Sequence, residues 1–476
     1  QDPEELRQLL LAKDILNKAR GNRRYKRRRL RHDAISLGPD NSQKPTRTET
    51  FTYAYFIVKL YPPPVTCQAM SSQLAPSSPE DRPLQPGSHE LPGLRLAMFL
   101  CGFCSVSVLH GTQPLLPELA TYFDVTSSTA SWALSATMML ALALMLLPAG
   151  LLSDRFGRRG FLLGGLGLAS LATVAAALAP RFVDLLFWRT LTGLVLAGVP
   201  AIALAYLTEE VAPGIVGRSI ALYAAGNALG GVSGRLMAGA LGEWQSWRLS
   251  LAVIGVLGLL ATLALWKLLP RERQFRPARH SLAASLHTVL AHWRNPELRR
   301  FFAIGFLLMG SYISLYSIIV FYLMAPPFSL SLGTTSFLFL LLLLGIPVSM
   351  LSGHLVDGRG PWLPIGGGTA LMLLGLMGTL LPHLVWLSLA LVVFTLGYFF
   401  SYTASNGSVT RRAPFARGTA AGIYLSCFYS GGALINVAAG FAWEWRGWPG
   451  VTVLLGACLL LLFWLWRRMP RQEQAL

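Results

Sequence analysis

From about residue 95 to residue 468 the chain alternates long apolar runs with short polar breaks. The runs lie near 95–117, 128–152, 160–179, 183–207, 217–241 and 247–268, and again near 299–323, 333–355, 362–381, 384–405, 418–440 and 449–467. A helix needs ~20 apolar residues to cross a bilayer, and each run is about that long. The pattern predicts an all-α membrane protein of twelve transmembrane helices in two six-helix halves, 95–268 and 299–468. A polar connector at 269–298 joins the halves. Within it, SLAASLHTVLAHW places Leu282, Leu286, Val289, Leu290 and Trp293 at helical spacing. That spacing fits an amphipathic helix on the membrane surface, or a solvated linker helix.

The polar breaks repeat. GLLSDRFGRR at 150–159 follows the second run, and GHLVDGRG at 353–360 follows the eighth. Gly150, Asp154 and Gly157 match Gly353, Asp357 and Gly360 at an offset of 203. A longer match has an offset of 201. It pairs Ala212-Pro213 with Ala413-Pro414, Gly217 with Gly418, Tyr223 with Tyr424, and Gly230-Gly231 with Gly431-Gly432. The same match pairs Glu243-Trp244-x-x-Trp247 with Glu444-Trp445-x-x-Trp448. Two matches in register with the runs make the halves pseudo-symmetric, the plan of a carrier with its site between them.

Composition agrees. The 476 residues are 53% hydrophobic and 13% charged, against ~25% charged in soluble domains. The net charge of +18 is uneven: residues 1–69 hold fourteen Lys/Arg and seven Asp/Glu, hence +7. That stretch contains a basic run at 23–32 and five of the six lysines, and no methionine precedes Met70. It is expected to be a disordered upstream segment foreign to the native chain, which would begin at Met70. Residues 70–94 would be a polar cytoplasmic tail, and 469–476 a second. Within the spanning region, arginines crowd one side: Arg155, Arg158, Arg159, Arg218, the connector set, Arg359, Arg411, Arg412, Arg417, Arg467 and Arg468. The other side has Arg181, Arg248 and Arg446. The rich side is expected to be cytoplasmic, with both termini on it. Cys101-x-x-Cys104 lies in an apolar run without a second pair, so no metal site is expected.

The decapeptide Gly150, Asp154, Arg155, Gly157, Arg158, Arg159 between the second and third runs resembles the signature of the major facilitator superfamily. Arg189-x-x-x-Gly193 resembles that family's fourth-helix motif. Gly226, Gly230, Gly231 and Gly234 resemble its fifth-helix antiporter motif, with Gly231 where proline is usual and Arg235 where a glycine is usual. Thr112–Pro117, Leu207–Glu210 and Gly230–Arg235 resemble the inner-membrane acriflavine-sensitivity branch of proton-coupled exporters. The resemblance implies that the second helix packs on the eleventh and the eighth on the fifth. Asp154 and Asp357 would then face the positive N-termini at Gly418 and Gly217, with Arg417 and Arg218 adding charge and the four motif glycines letting backbones approach. The arginines are otherwise topology anchors, and the fifth-helix glycines simple packing sites.

Few ionisable or amide side chains lie at membrane depth: His110 and Gln113 in the first run, Arg189 in the fourth, Asn227 and Arg235 in the fifth. At 1.5 Å per residue, His110, Arg189 and Arg235 all lie roughly 10–12 Å from the arginine-poor boundary. They form one expected substrate or coupling cluster, or else Arg189 is a structural tie to the first helix. Intramembrane arginine is costly, so each needs a partner or a cavity. No mid-depth carboxylate is present, which leaves His110 and boundary Glu118 as candidate proton carriers. A P-loop lysine, a catalytic triad and metal spacing are all lacking, so neither an enzyme nor a cofactor is expected. The primary functional expectation is proton-coupled export of small molecules by a monomer in the bacterial inner membrane, with substrate, protons and bilayer as partners and no nucleic acid. The alternatives are a uniporter or importer of sugars or organic anions, and a membrane-anchored binding protein using the basic arm.

Overall fold

The computed structural model describes residues 83–273, 275 and 282–469, with backbone alone for 282–285. The upstream segment 1–69, most of the 70–94 tail, part of the connector and the tail beyond 469 lie outside the described residues. Helices follow in order: α1 Glu90–His110, α2 Leu116–Tyr122, α3 Ser127–Phe156, α4 Arg158–Ala177, α5 Phe182–Glu210, α6 Pro213–Trp244 and α7 Trp247–Leu268. After the connector helix α8 (Leu282–Arg294) come α9 Pro296–Met324, α10 Leu332–Arg359, α11 Trp362–Gly378, α12 Leu384–Arg412 and α13 Arg417–Arg467. The one β-bridge among the described residues pairs Leu84 with Val211.

Nine of the described helices are long and apolar enough to cross a membrane. Three features separate this number from the twelve runs. The 32-residue α6 is glycine-rich and carries Arg235. Apolar α11 has 17 residues. The 51-residue α13 covers two runs and is broken at Arg446 and Gly447, where Gly447 has φ +59°.

The first run is not one helix to residue 117. It ends at His110, because Pro114 cannot donate a backbone bond; a turn over 111–115 then leads into α2. The first helix also begins earlier than expected, at Glu90, with Leu91 and Leu94 buried. Leu84 is buried too, its N–H donating to the Glu210 carbonyl at 2.8 Å. Leu84, Leu91 and Leu94 are thus anchored on the bundle, and helix α1 begins inside the expected tail.

Packing repeats between the halves. α6 lies along α1, and α13 lies along α9. Gly226, Gly230 and Gly234 turn one face of α6 onto α1: an added Cβ would lie 2.3 Å from the Phe99 oxygen, 2.0 Å from the Phe103 oxygen and 2.6 Å from Ser107 Cα. In the second half a Cβ at Gly431 would lie 1.9 Å from the Phe306 oxygen. Three of the four fifth-helix motif glycines therefore serve close helix packing; Gly231 faces Val106 and the Arg235 guanidinium instead.

The exposed apolar side chains sit on the perimeter, as a bilayer-facing surface requires. On α8, Leu286, Leu290 and Trp293 are exposed while His292 is buried against Phe415. That is an apolar stripe facing outward from the bundle.

Candidate functional site

At the arginine-rich end, the repeated decapeptide ties the first half together. Arg158 bonds Asp154 (2.8 Å) and forms a two-pronged pair with Glu209 of α5 (2.6 Å each). Arg159 caps the C-terminus of α7, donating to the carbonyls of Trp266 (2.8 Å) and Leu269 (3.1 Å). Glu272 accepts the Arg159 backbone N–H at the start of α4, where a helix dipole favours a carboxylate. Gly157 and Gly360 end α3 and α10 at φ +100° and +75°, a region open to glycine. Arg155 is exposed and lies over the Phe156 ring at 5.5 Å.

The expected contacts of Asp154 and Asp357 with the opposite half are not made in this structure. Asp357 pairs with Arg411 of its own half at 2.6 Å. Arg218 and Arg417 are exposed, without an ion pair among the described residues. A Cβ at Gly150, Gly217, Gly353 or Gly418 would meet nothing within 4 Å, so Gly150 and Gly353 permit no close approach here.

At the arginine-poor end the halves do meet, through the glutamates of the E-W-x-x-W repeat. Glu243, near the end of α6, accepts from Ser331 Oγ (3.1 Å) and from the Gly333 N–H at the start of α10. Glu444 accepts from Ser128 Oγ at the start of α3. Each carboxylate caps the N-terminus of a helix from the other half. Beside them, Asn436 Nδ2 donates to the Ser131 oxygen (3.2 Å), and a Cβ at Gly239 would lie 1.7 Å from Ser336 Oγ. Trp244 and Trp445 are exposed, whereas Trp247 and Trp448 are buried. The repeat marked these residues in the sequence, but only the fold reveals their partners.

The membrane-depth cluster divides. Arg189 is fully buried and donates to the carbonyls of Val108 (3.0 Å) and Leu109 (2.9 Å). These are last-turn carbonyls of α1, orphaned where the helix breaks, and a cation at a helix C-terminus is favourable. Arg189 thus makes the tie to the first helix. Arg235 lies where the halves meet. Its Nε donates to Gln113 Oε1 (2.8 Å), and Gln113 Nε2 donates onward to Ser317 Oγ of α9 (3.2 Å). Phe339 of α10 lies 5.0 Å from the guanidinium. Thus an N-half arginine, a turn glutamine and a C-half serine form one chain across the interface.

A small cavity beside this chain is lined by His110, Thr112, Gln113, Ser135, Met139 and Ser317 among others. Its polar wall comes from both halves, and its volume admits about one water molecule. A larger recess near Ala179, Asp184 and Trp188 lies away from this cluster. Asn227 is not in the cavity wall: its Oδ1 is buried without a partner and would lie 2.7 Å from a Cβ at Gly102. Glu118 caps α7, one carboxylate oxygen accepting the Trp247 N–H at 2.9 Å while the other is buried without a partner. Burial raises this carboxyl above the usual range, with the Trp247 N–H pulling the other way. Among the described residues no group of His, Cys, Asp or Glu could hold a metal ion.

Comparison with known proteins agrees with this architecture. The Major Facilitator Superfamily model matches residues 98–436. The chain is 35% identical over 372 residues to the MFS-type transporter YybF of Bacillus subtilis (strain 168), covering 78% of this chain and 92% of that one. It is 34% identical over 392 residues to the inner membrane transport protein YnfM of Escherichia coli (strain K12), covering 82% and 93%. Among solved structures, the nucleoside transporter NupG shares the fold with a TM-score of 0.68 at 14% identity, covering 79% of this chain and 99% of that one. A bacterial homologue of the human lysosomal transporter Spinster, in an inward-facing and occupied conformation, gives 0.66 at 18% identity, covering 80% and 96%. The family match, the two relatives and the pseudo-symmetric halves lead to one conclusion: this chain belongs to the major facilitator superfamily of membrane transporters.

Proposed function

We propose that this transporter is a proton-driven exporter of small molecules, spanning a bacterial inner membrane twelve times with both termini inside. The observation that carries the reading is the Arg235–Gln113–Ser317 chain, a polar connection buried between halves that are latched at one end only. With the arginine-rich end inside, the latched end is the outer one, and the site awaits cargo from the cytoplasm. Transport requires the latches to exchange: Glu243 and Glu444 release outside as Asp154 and Asp357 engage the starts of α13 and α6 inside.

Proton coupling is assigned to Glu118, with His110 as the second candidate. A carboxyl whose pKa is raised takes its proton at a higher pH than an ordinary glutamate does, so it can load outside and discharge inside. The test is transport in sealed vesicles with and without an imposed pH gradient. The gradient is expected to accelerate wild-type transport several-fold, and Glu118→Gln to lose that acceleration while keeping exchange of substrate for substrate. Gradient-independent transport by the wild type would point to the uniporter or importer reading. A fully responsive Glu118→Gln would pass the role to His110.

The inner latch has its own expected outcome. Asp154→Asn breaks the Asp154–Arg158 pair (2.8 Å) and removes the charge that would meet the start of α13. Glu209 still holds Arg158, so expression should stay normal while transport falls about tenfold, the equivalent of ~1.4 kcal/mol. Cysteine accessibility from the arginine-rich side should rise in parallel. Unchanged transport with unchanged accessibility on both faces rules the inner latch out.

A further inference from the structure

We infer that the cargo is an amphipathic aromatic anion, its acid group held by Arg235 and its ring by a ladder of aromatic side chains in the second half. This rests on the reading of the chain as a transporter with its site between the halves, and it names the substrate class of that site.

The charge argument starts from what surrounds Arg235. The side chain is only 2% exposed. Its acceptors are an amide oxygen of Gln113 and the carbonyl of Gly231 at 2.7 Å, both uncharged. Its third nitrogen, Nη2, makes no bond among the described residues. Arg189, the other buried cation of this half, is likewise held by carbonyls and by Met138. None of these partners is a carboxylate. A buried charge normally has a counter-ion. Here the fold supplies hydrogen bonds that orient the guanidinium and leaves its charge uncompensated, the arrangement that favours an incoming anion and repels a cation.

The ring argument starts from Phe339, which covers one face of Arg235. Phe339 lies 5.8 Å from Tyr316, Tyr316 lies 5.1 Å from Tyr312, and Tyr312 stacks on Tyr398 at 4.1 Å and 11°. Tyr398 continues to Tyr402 at 5.8 Å and 8°, and Tyr402 to Phe428 at 5.1 Å. The ladder draws on α9, α10, α12 and α13. It steps from the arginine towards the arginine-rich end, since α12 runs that way from Tyr398 to Tyr402. The Tyr312–Tyr398 and Tyr398–Tyr402 pairs are near-parallel and the other three are tilted at 32–51°; aromatic surface of this kind suits a planar ligand. A path of aromatic side chains ending at a cation without a carboxylate partner fits a ring with an acid at one end.

The test is equilibrium binding to the full-length protein in detergent, with no gradient, so it does not depend on proton coupling or on direction. Three probes of one shape are compared by calorimetry and by ligand-induced thermal stabilisation: 2-naphthoate, its neutral amide, and 2-naphthylmethylammonium. The acid should bind at least tenfold tighter than the amide, and the cation weakest. Arg235→Gln should abolish the difference between the acid and the amide. Arg235→Lys should retain part of the preference. Tyr398→Leu should weaken acid and amide alike. If Arg235→Gln does not fold, the three-probe comparison on the wild type still decides. Equal binding of acid and amide, tightest binding of the cation, or binding of none overturns the proposal. So does an acid preference that survives Arg235→Gln. Failure here leaves a pH-gradient response in vesicles untouched, and the reverse also holds.

Discussion

Gly431→Ala and Gly230→Ala are each expected to cost about 3 kcal/mol of stability, the upper part of the usual range for overpacking. The added methyl would sit 1.9 Å from the Phe306 oxygen in one case and 2.0 Å from the Phe103 oxygen in the other. Both obstacles are backbone, so no rotamer change relieves them and two helices must separate. Between lipid-embedded helices, close packing supplies much of the attraction, and separation forfeits it along the whole contact. Gly217→Ala and Gly418→Ala are the controls. Both are helical positions with nothing within 4 Å of the new methyl, and alanine there should be neutral or slightly stabilising. Thermal unfolding of the four variants in detergent, followed by size-exclusion chromatography, gives the comparison. Equal melting temperatures across the set would remove the packing account of these glycines.

The second large effect concerns the paired glutamates. Glu243→Gln with Glu444→Gln removes both charges that cap helices of the opposite half. Both side chains are exposed, so each contribution is discounted for solvent to about 0.5–1 kcal/mol. Together, at ~1–2 kcal/mol, they shift the balance of conformations five- to thirtyfold away from the state closed at the arginine-poor end. Cysteines at 130 or 335, both buried here and neither a partner of the glutamates, should then label faster from that side, and transport should fall although the Arg235–Gln113–Ser317 chain is intact. Each single variant should give about half the shift in free energy, because the two latches lie on different helix pairs and share no partner. Labelling that stays at the wild-type rate in the double variant would show that packing at Gly239 and Asn436 closes this end without help from charge.

Some of this was legible in the amino-acid order. Whether a segment prefers lipid is set by the summed transfer free energies of its own residues, so the runs, the two halves and the arginine bias could be read without a fold. So could the family resemblance, carried by the decapeptide and by Arg189 and Gly193. The repeat at offset 201 even marked Gly230 with Gly431 and Glu243 with Glu444. What it could not tell is what these residues touch. A helix end is satisfied by whichever group the fold brings near it, and the partners here are far away in sequence: Ser331 for Glu243, Ser128 for Glu444, Val108 and Leu109 for Arg189. The first run also looked continuous by hydropathy, because Pro114 is a matter of backbone bonding and not of polarity. The break it makes exposes the carbonyls that Arg189 caps and swings Gln113 towards Arg235. Sequence alone therefore determined which segments are apolar enough to favour a bilayer, since preference for lipid is a local property of composition. Tertiary structure decided which of the two buried arginines ties helices within one half and which joins a polar chain across the two halves, since that depends on which atoms lie within about three ångströms of each.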